Sequence, residues 1–152
     1  MKGGIGTASR VEGRLVVGAL AAVNALGEVL DEDGSVLAGC RVDEEPTSPA
    51  PGFGTNTTLV VVATNAGLNK ERCHLLSLAA HDAVSTAIRP SHTMWDGDTA
   101  FALATGQVEA RQAEVEALAT DAVAEAIRRG VLLATGVPNF PAVGDIREGR
   151  LP

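Results

Sequence analysis

Aromatic side chains make up only 3% of this chain and tyrosine is absent, although hydrophobic residues reach 45%. A core with so few large rings has to be assembled from alanine, valine and leucine. Cysteine is almost missing as well: Cys40 and Cys73 stand far apart, with no closely spaced pair. A disulfide scaffold is therefore not expected, and two buried free thiols in a reducing compartment is the plain reading. Basic charge is in short supply, the net charge being −7, which argues against nucleic acid or an anionic membrane as partner. No apolar run approaches the length of a membrane span, and Met1-Lys2-Gly3-Gly4 lacks the apolar segment of a signal peptide. A cytoplasmic location is the expectation. What is abundant is glycine, with 17 residues, pointing to tight turns and close backbone approach. At 152 residues the chain is expected to form one domain, 1–152, without internal repeats.

The most informative stretch runs from Thr55 to Thr64. A Pro- and Gly-rich segment, 45–54, empties into Asn56, Thr57 and Thr58, and the run Leu59-Val60-Val61-Val62 follows. Threonine and valine favour strands, so the minimal reading is a strand start. The chemical reading is that a cut between Asn56 and Thr57 would give Thr57 a free α-amine beside its β-hydroxyl. Such an amine has a pKa of about 7.7–8.0 and can take the hydroxyl proton, the arrangement of an N-terminal threonine nucleophile. Pro46, Pro49 and Pro51 make the preceding loop exposed and tolerant of a break.

Elsewhere the order of elements is αβ-mixed. The glycine-rich start, Lys2 to Ser9, lacks the Gly-Lys-Ser/Thr ending of a phosphate loop and follows no strand. The run 15–23 reads as a strand buried on both faces, closed by Asn24, which is either a turn residue or a carboxamide able to donate to an oxyanion. A hairpin joins Val29 and Leu30 to Val36 and Leu37 through Asp33-Gly34. After the strand 59–64 and a turn at 65–67, helical periodicity runs over 69–89, with Asn69 as N-cap and Pro90 as stop. A second helix spans 110–129, terminated by Gly130. The tail from Val137 onward reads as irregular.

Between the helices lies Ser91-His92-Thr93-Met94-Trp95-Asp96-Gly97-Asp98, opening onto a small apolar strand. Two carboxylates at this spacing are either solvated loop residues or ligands for a metal, an amine or a hydroxyl. A calcium loop would need a longer run of oxygen ligands ending in glutamate, a pattern absent here. No third ligand accompanies His74 and His81 at metal-binding spacing. No metal or cofactor is expected.

Four segments together, 2–9, the apolar run ending in Asn24, 56–64 and 88–106, resemble the DmpA-type aminopeptidase family, which includes the nylon-oligomer hydrolase. The resemblance implies an α/β fold, an αββα sandwich of the Ntn-like type, here lacking its N-terminal strands. It implies self-cleavage at Asn56/Thr57 into 1–56 and 57–152. Thr57 would then be the catalytic nucleophile, Asn24 the oxyanion-side asparagine and Lys2 the lysine beside the nucleophile. Asp96 and Asp98 would be the acidic pair set against its hydroxyl and amine. DmpA itself has a serine in place of Asp96, which puts this chain nearer the nylon-hydrolase branch. The substrate would be a small peptide or amide, and the assembly a homo-oligomer or a complex with the segment that precedes Lys2 in longer family members. The rival reading is a truncated, non-catalytic remnant or interaction subunit; a metal site of His92, Asp96 and Asp98 is a third.

Overall fold

The computed structural model describes residues 1–39 and 56–149; Cys40 and the Pro- and Gly-rich run before Asn56 lie outside them. The described chain forms strands β1 (Ile5–Glu12), β2 (Leu15–Asn24), β3 (Glu28–Leu30), β4 (Val36–Ala38) and β5 (Thr57–Ala66). Helix α1 (Lys70–Ala87), strands β6 (Ile88–Arg89) and β7 (Thr99–Val108), and helices α2 (Gln112–Leu132) and α3 (Val143–Arg147) complete it. The main sheet has the order β1-β2-β5-β7, and a small sheet has the order β4-β3-β6. β2 pairs antiparallel with β1 on one side and β5 on the other, whereas β5 and β7 run parallel. That parallel pair needs a crossover, and α1 supplies it.

The β-branched run over 57–66 forms a strand because valine and threonine pack well on a pleated surface. It continues through the expected turn at 65 and 66, since the Asn65 side chain ties the end of β5 to β2: Oδ1 accepts from the Val16 amide at 2.8 Å and Nδ2 donates to the Arg14 carbonyl at 2.8 Å. Asn69 caps α1 as expected, accepting from the Arg72 amide at 2.9 Å, and Gly34 turns the hairpin at φ 83°.

Both long helices lie on one face of the main sheet, α2 over β1 and β2 and α1 beside α2 and over β7. Val17, Ala19, Ala21, Val60, Val62, Leu76, Val84, Val115, Val123 and Ile127 form the core between them. The expected strand over 15–23 is present, but it is buried on one face only: Val16 and Leu20 are exposed while Leu15, Val17, Ala19, Ala21 and Val23 are covered. Among the described residues nothing covers the opposite face, where Ile5, Leu59, Phe101 and Leu103 are also exposed.

The glycine-rich start, for which the sequence reading placed no strand, is the edge strand β1. Its glycines serve contact with α2: a Cβ on Gly6 would stand 2.0 Å from the Ala126 carbonyl oxygen and 2.3 Å from the Gly130 nitrogen. The same contact explains why Gly130 does not end α2. It lies buried within the helix, which runs on to Leu132, because a residue without a side chain is what lets β1 and α2 touch. The tail is not wholly irregular either, since α3 forms at 143–147. Cys73 is free and only half-buried. No helix among the described residues is long and apolar enough to cross a membrane.

Candidate active site

Strand register brings two of the expected residues together. Thr57 is the first residue of β5, Asn24 the last of β2, and the two are direct cross-strand partners. Because side chains alternate along a strand, Thr57 and Asn24 share the face away from the helices, at one end of the sheet. The backbone before β1 runs beside them, with the Val23 amide donating to the Gly4 carbonyl at 2.8 Å. Lys2 is thereby carried to the same cleft, which Lys2, Asn24, Thr57, Leu59 and Phe140 line together. The Lys2 ammonium donates to the Gly3 carbonyl at 2.8 Å, and its amide donates to Pro141 at 2.9 Å.

The Asp-Gly-Asp step arrives from the other side. Asn56 and Asp96 form an isolated parallel bridge, so the loop ahead of β7 continues the β5–β7 pairing back to the residue before Thr57. Within it the Gly97 amide donates to the Asn56 carbonyl oxygen at 2.8 Å. The Thr57 hydroxyl lies on that same oxygen at 2.7 Å. Position 97 has no room for a side chain, since a Cβ would sit 2.8 Å from Thr57 Oγ1. The carbonyl between Asn56 and Thr57 therefore has the Thr57 hydroxyl beside it and the Gly97 N–H on its oxygen, a donor of the kind that stabilises a developing oxyanion.

The two aspartates are used differently. Asp98, with a side chain only 5% exposed, accepts from the Thr58 amide through Oδ1 at 2.8 Å. Its Oδ2 takes the His92 ring Nδ1 at 3.0 Å and the His92 amide at 3.3 Å. Asp96 accepts from Thr93 twice at Oδ2, from the amide at 3.0 Å and the hydroxyl at 2.7 Å. The acidic pair thus lies beside the Asn56–Thr58 segment, with Asp98 bonded to the residue after Thr57 and Asp96 engaged within its own turn. Among the described residues no group of three His, Cys, Asp or Glu side chains stands ready to hold a metal ion. Burial first, and then the neighbouring His92, holds the His81 imidazole below its ordinary pKa, against smaller opposite effects of Asp98 and Asp82.

Structure thus groups Lys2, Asn24, Asn56, Thr57, Asp96 and Asp98 at one end of the sheet. Sequence reasoning treated Gly97 as a spacer and missed its amide; the signal for it was the glycine itself, flanked by two acids. Thr93 was read only as a loop residue and His92 as a loop residue or, in the third reading, a metal ligand; nothing in their spacing signals which carboxylate each would hold.

Comparison with known proteins places the chain in a family. The profile of peptidase family S58 matches residues 1–142. An uncharacterized aminopeptidase of Mycobacterium leprae is 39% identical over 93% of this chain and 47% of its own length. A 6-aminohexanoate-oligomer endohydrolase of Agromyces is 26% identical over 70% of this chain and 34% of its own. Among solved structures, an L-aminopeptidase D-Ala-esterase/amidase from Ochrobactrum anthropi, described as a variant of the Ntn hydrolase fold, superposes with a TM-score of 0.67. It is 22% identical, and the match covers 99% of this chain and 50% of that one. The chain spans about half the length of the mycobacterial relatives that it matches.

Proposed function

Because the chain belongs to peptidase family S58, the DmpA-type family, we propose that it is a self-processing amide hydrolase with Thr57 as nucleophile. The observation that carries this reading is the Asn56 carbonyl oxygen held between the Thr57 hydroxyl at 2.7 Å and the Gly97 amide at 2.8 Å. The Thr57 oxygen attacks the Asn56 carbonyl carbon, and the Gly97 N–H stabilises the negative charge that develops on its oxygen. The bond to the Thr57 nitrogen breaks, that nitrogen takes the hydroxyl proton, and an ester joins Asn56 to Thr57 Oγ1. Water then hydrolyses the ester, releasing 1–56 and leaving 57–152 with a free α-amine.

In turnover that amine accepts the hydroxyl proton as the hydroxyl attacks a substrate amide, and it returns the proton to the leaving amine. Water completes the cycle by hydrolysing the acyl-threonine. The Asn24 carboxamide, directly across the strand pair from Thr57, donates to the oxyanion; in comparable sites one such donor is worth about 2.7–4 kcal/mol. The Lys2 cation favours the same negative charge from within the cleft. Asp98 orients the segment through the Thr58 amide, and Asp96 fixes the turn that carries Gly97. The substrate class is a short peptide or amino-acid oligomer, by analogy with the aminopeptidase and oligomer-hydrolase relatives. This chemistry calls on no cofactor.

Intact mass tests the reading. Wild type is expected to resolve into two fragments split at Asn56/Thr57, while Thr57→Ala remains one chain of 15.5 kDa. A wild type that stays whole, or amide hydrolysis retained by Thr57→Ala, overturns it. A second reading, an interaction subunit that does not cut, is favoured by the apolar sheet face left uncovered among the described residues. Under it the whole chain associates, with itself or with the sandwich strands of a longer family member, and light scattering of uncut protein reports that association.

A further inference from the structure

The turn that carries the acidic pair is built so that its first residues hold its last ones. Thr93 gives both amide and hydroxyl to Asp96 Oδ2. His92, one residue earlier, gives amide and ring Nδ1 to Asp98 Oδ2. The free oxygen of Asp98, Oδ1, then reaches out of the turn to the Thr58 amide at 2.8 Å. His92 adopts φ 52°, the left-handed region that few non-glycine residues occupy, histidine, asparagine and aspartate among the more frequent. That conformation is what presents its amide and its ring to the same carboxylate oxygen.

We infer that His92 is a positioning residue for the nucleophile, acting through Asp98 on the Thr58 peptide. The chain of contacts is short and directional. His92 fixes the rotation of the Asp98 carboxylate, the carboxylate fixes the Thr58 amide, and that amide sets the peptide plane on which Thr57 stands. The ring is itself anchored at its far side, with Nε2 3.2 Å from the His81 carbonyl oxygen. Both ring nitrogens thus face oxygens, Asp98 Oδ2 on one side and the His81 carbonyl on the other, and the ring is held between them. The groups around it are His81, whose ring centroid is 5.0 Å away, with Asp98 and Asp82 acting on His81 in turn.

The inference deepens the self-cleavage reading and rests on it for its kinetic half only. The informative pair of variants is His92→Asn and His92→Gly. Both tolerate positive φ, but only asparagine keeps a side-chain donor near the position of Nδ1. Deuterium exchange at the Thr58 amide is measured in the uncut Thr57→Ala background, and appearance of the 57–152 fragment is measured with Thr57 intact. Loss of a hydrogen bond to a charged group corresponds to about tenfold or more. His92→Gly is therefore expected to speed Thr58 exchange and slow cleavage by about that factor, with other core amides unmoved. His92→Asn is expected to stay within about twofold of the histidine parent on both readouts. His92→Asp, also at ease at positive φ and without a donor, is expected to match His92→Gly and repeats the comparison should the glycine variant not fold. Equal Thr58 exchange across the histidine parent and all three variants overturns the inference. If the wild type never cuts, the self-cleavage reading falls, and the exchange comparison alone decides the role of His92.

Discussion

On the helix-covered face of the main sheet, Val17, Ala19, Ala21, Val60 and Val62 are buried; on the other, Val16, Leu20, Leu59, Phe101 and Leu103 stand exposed. The two faces draw on the same classes of residue and differ in what lies over them. This difference reaches the chemistry through two neighbouring threonines. Thr57 points to the open face and its hydroxyl lies on the Asn56 carbonyl. Thr58 points inward, is 0% exposed, and its hydroxyl has no hydrogen-bond partner among the described residues. Identical side chains one position apart therefore meet an open cleft and a packed core respectively, because strand side chains alternate with period two.

The covered face should break first. Gly6→Ala forces a methyl group against the backbone of α2 at 2.0 Å, and a loss of about 3 kcal/mol or more is expected in urea unfolding, at the upper end of overpacking costs. The exposed face should not respond in kind. Val60→Ala on the inner side is expected to cost about 2 kcal/mol by cavity formation, whereas Leu59→Ala next to it should stay within about 0.5 kcal/mol. Equal losses at 59 and 60 would mean that the outer face is covered in solution, which would support association through it.

The two threonines sharpen the contrast further. Thr58→Val removes a buried hydroxyl that bonds to nothing described, and a gain of up to about 1 kcal/mol is expected, with self-cleavage preserved. Thr57→Val should leave stability nearly unchanged and stop cleavage. The smallest effect concerns pH. The folded-state pKa of His81 is lowered, so the folded protein binds fewer protons there than the unfolded chain. The resulting stability is complete above the ordinary histidine value of 6.5 and declines as pH falls below it. His81→Gln should therefore flatten the fall in melting temperature between neutral pH and about pH 5.

Much of the fold was legible because local rules governed it. Asn69 reads as a helix cap, Asp33-Gly34 as a hairpin turn and 59–64 as a strand, each through a preference acting over a few residues. The glycines misled where their role was tertiary. Gly130 looks like a helix stop, and the glycines of Lys2 to Ser9 give no strand signal, but both are places where β1 and α2 meet with no side chain between them. The two-sided burial expected for 15–23 failed for a similar reason, since apolar content alone does not say whether anything covers the second face.

Sequence by itself determined the residue types that the site requires: a threonine after Asn56, a lysine, an asparagine and an Asp-Gly-Asp step, in a spaced order similar to that of one peptidase family. It determined too that the core would be aliphatic and that two long helices would form. Only the tertiary structure decided that Asn24 stands across from Thr57, that the Gly97 amide joins the Thr57 hydroxyl at the Asn56 carbonyl, and that His92 grips Asp98. The reason is physical: cross-strand register and backbone hydrogen bonds join residues tens of positions apart, and no local preference encodes which amide will meet which oxygen.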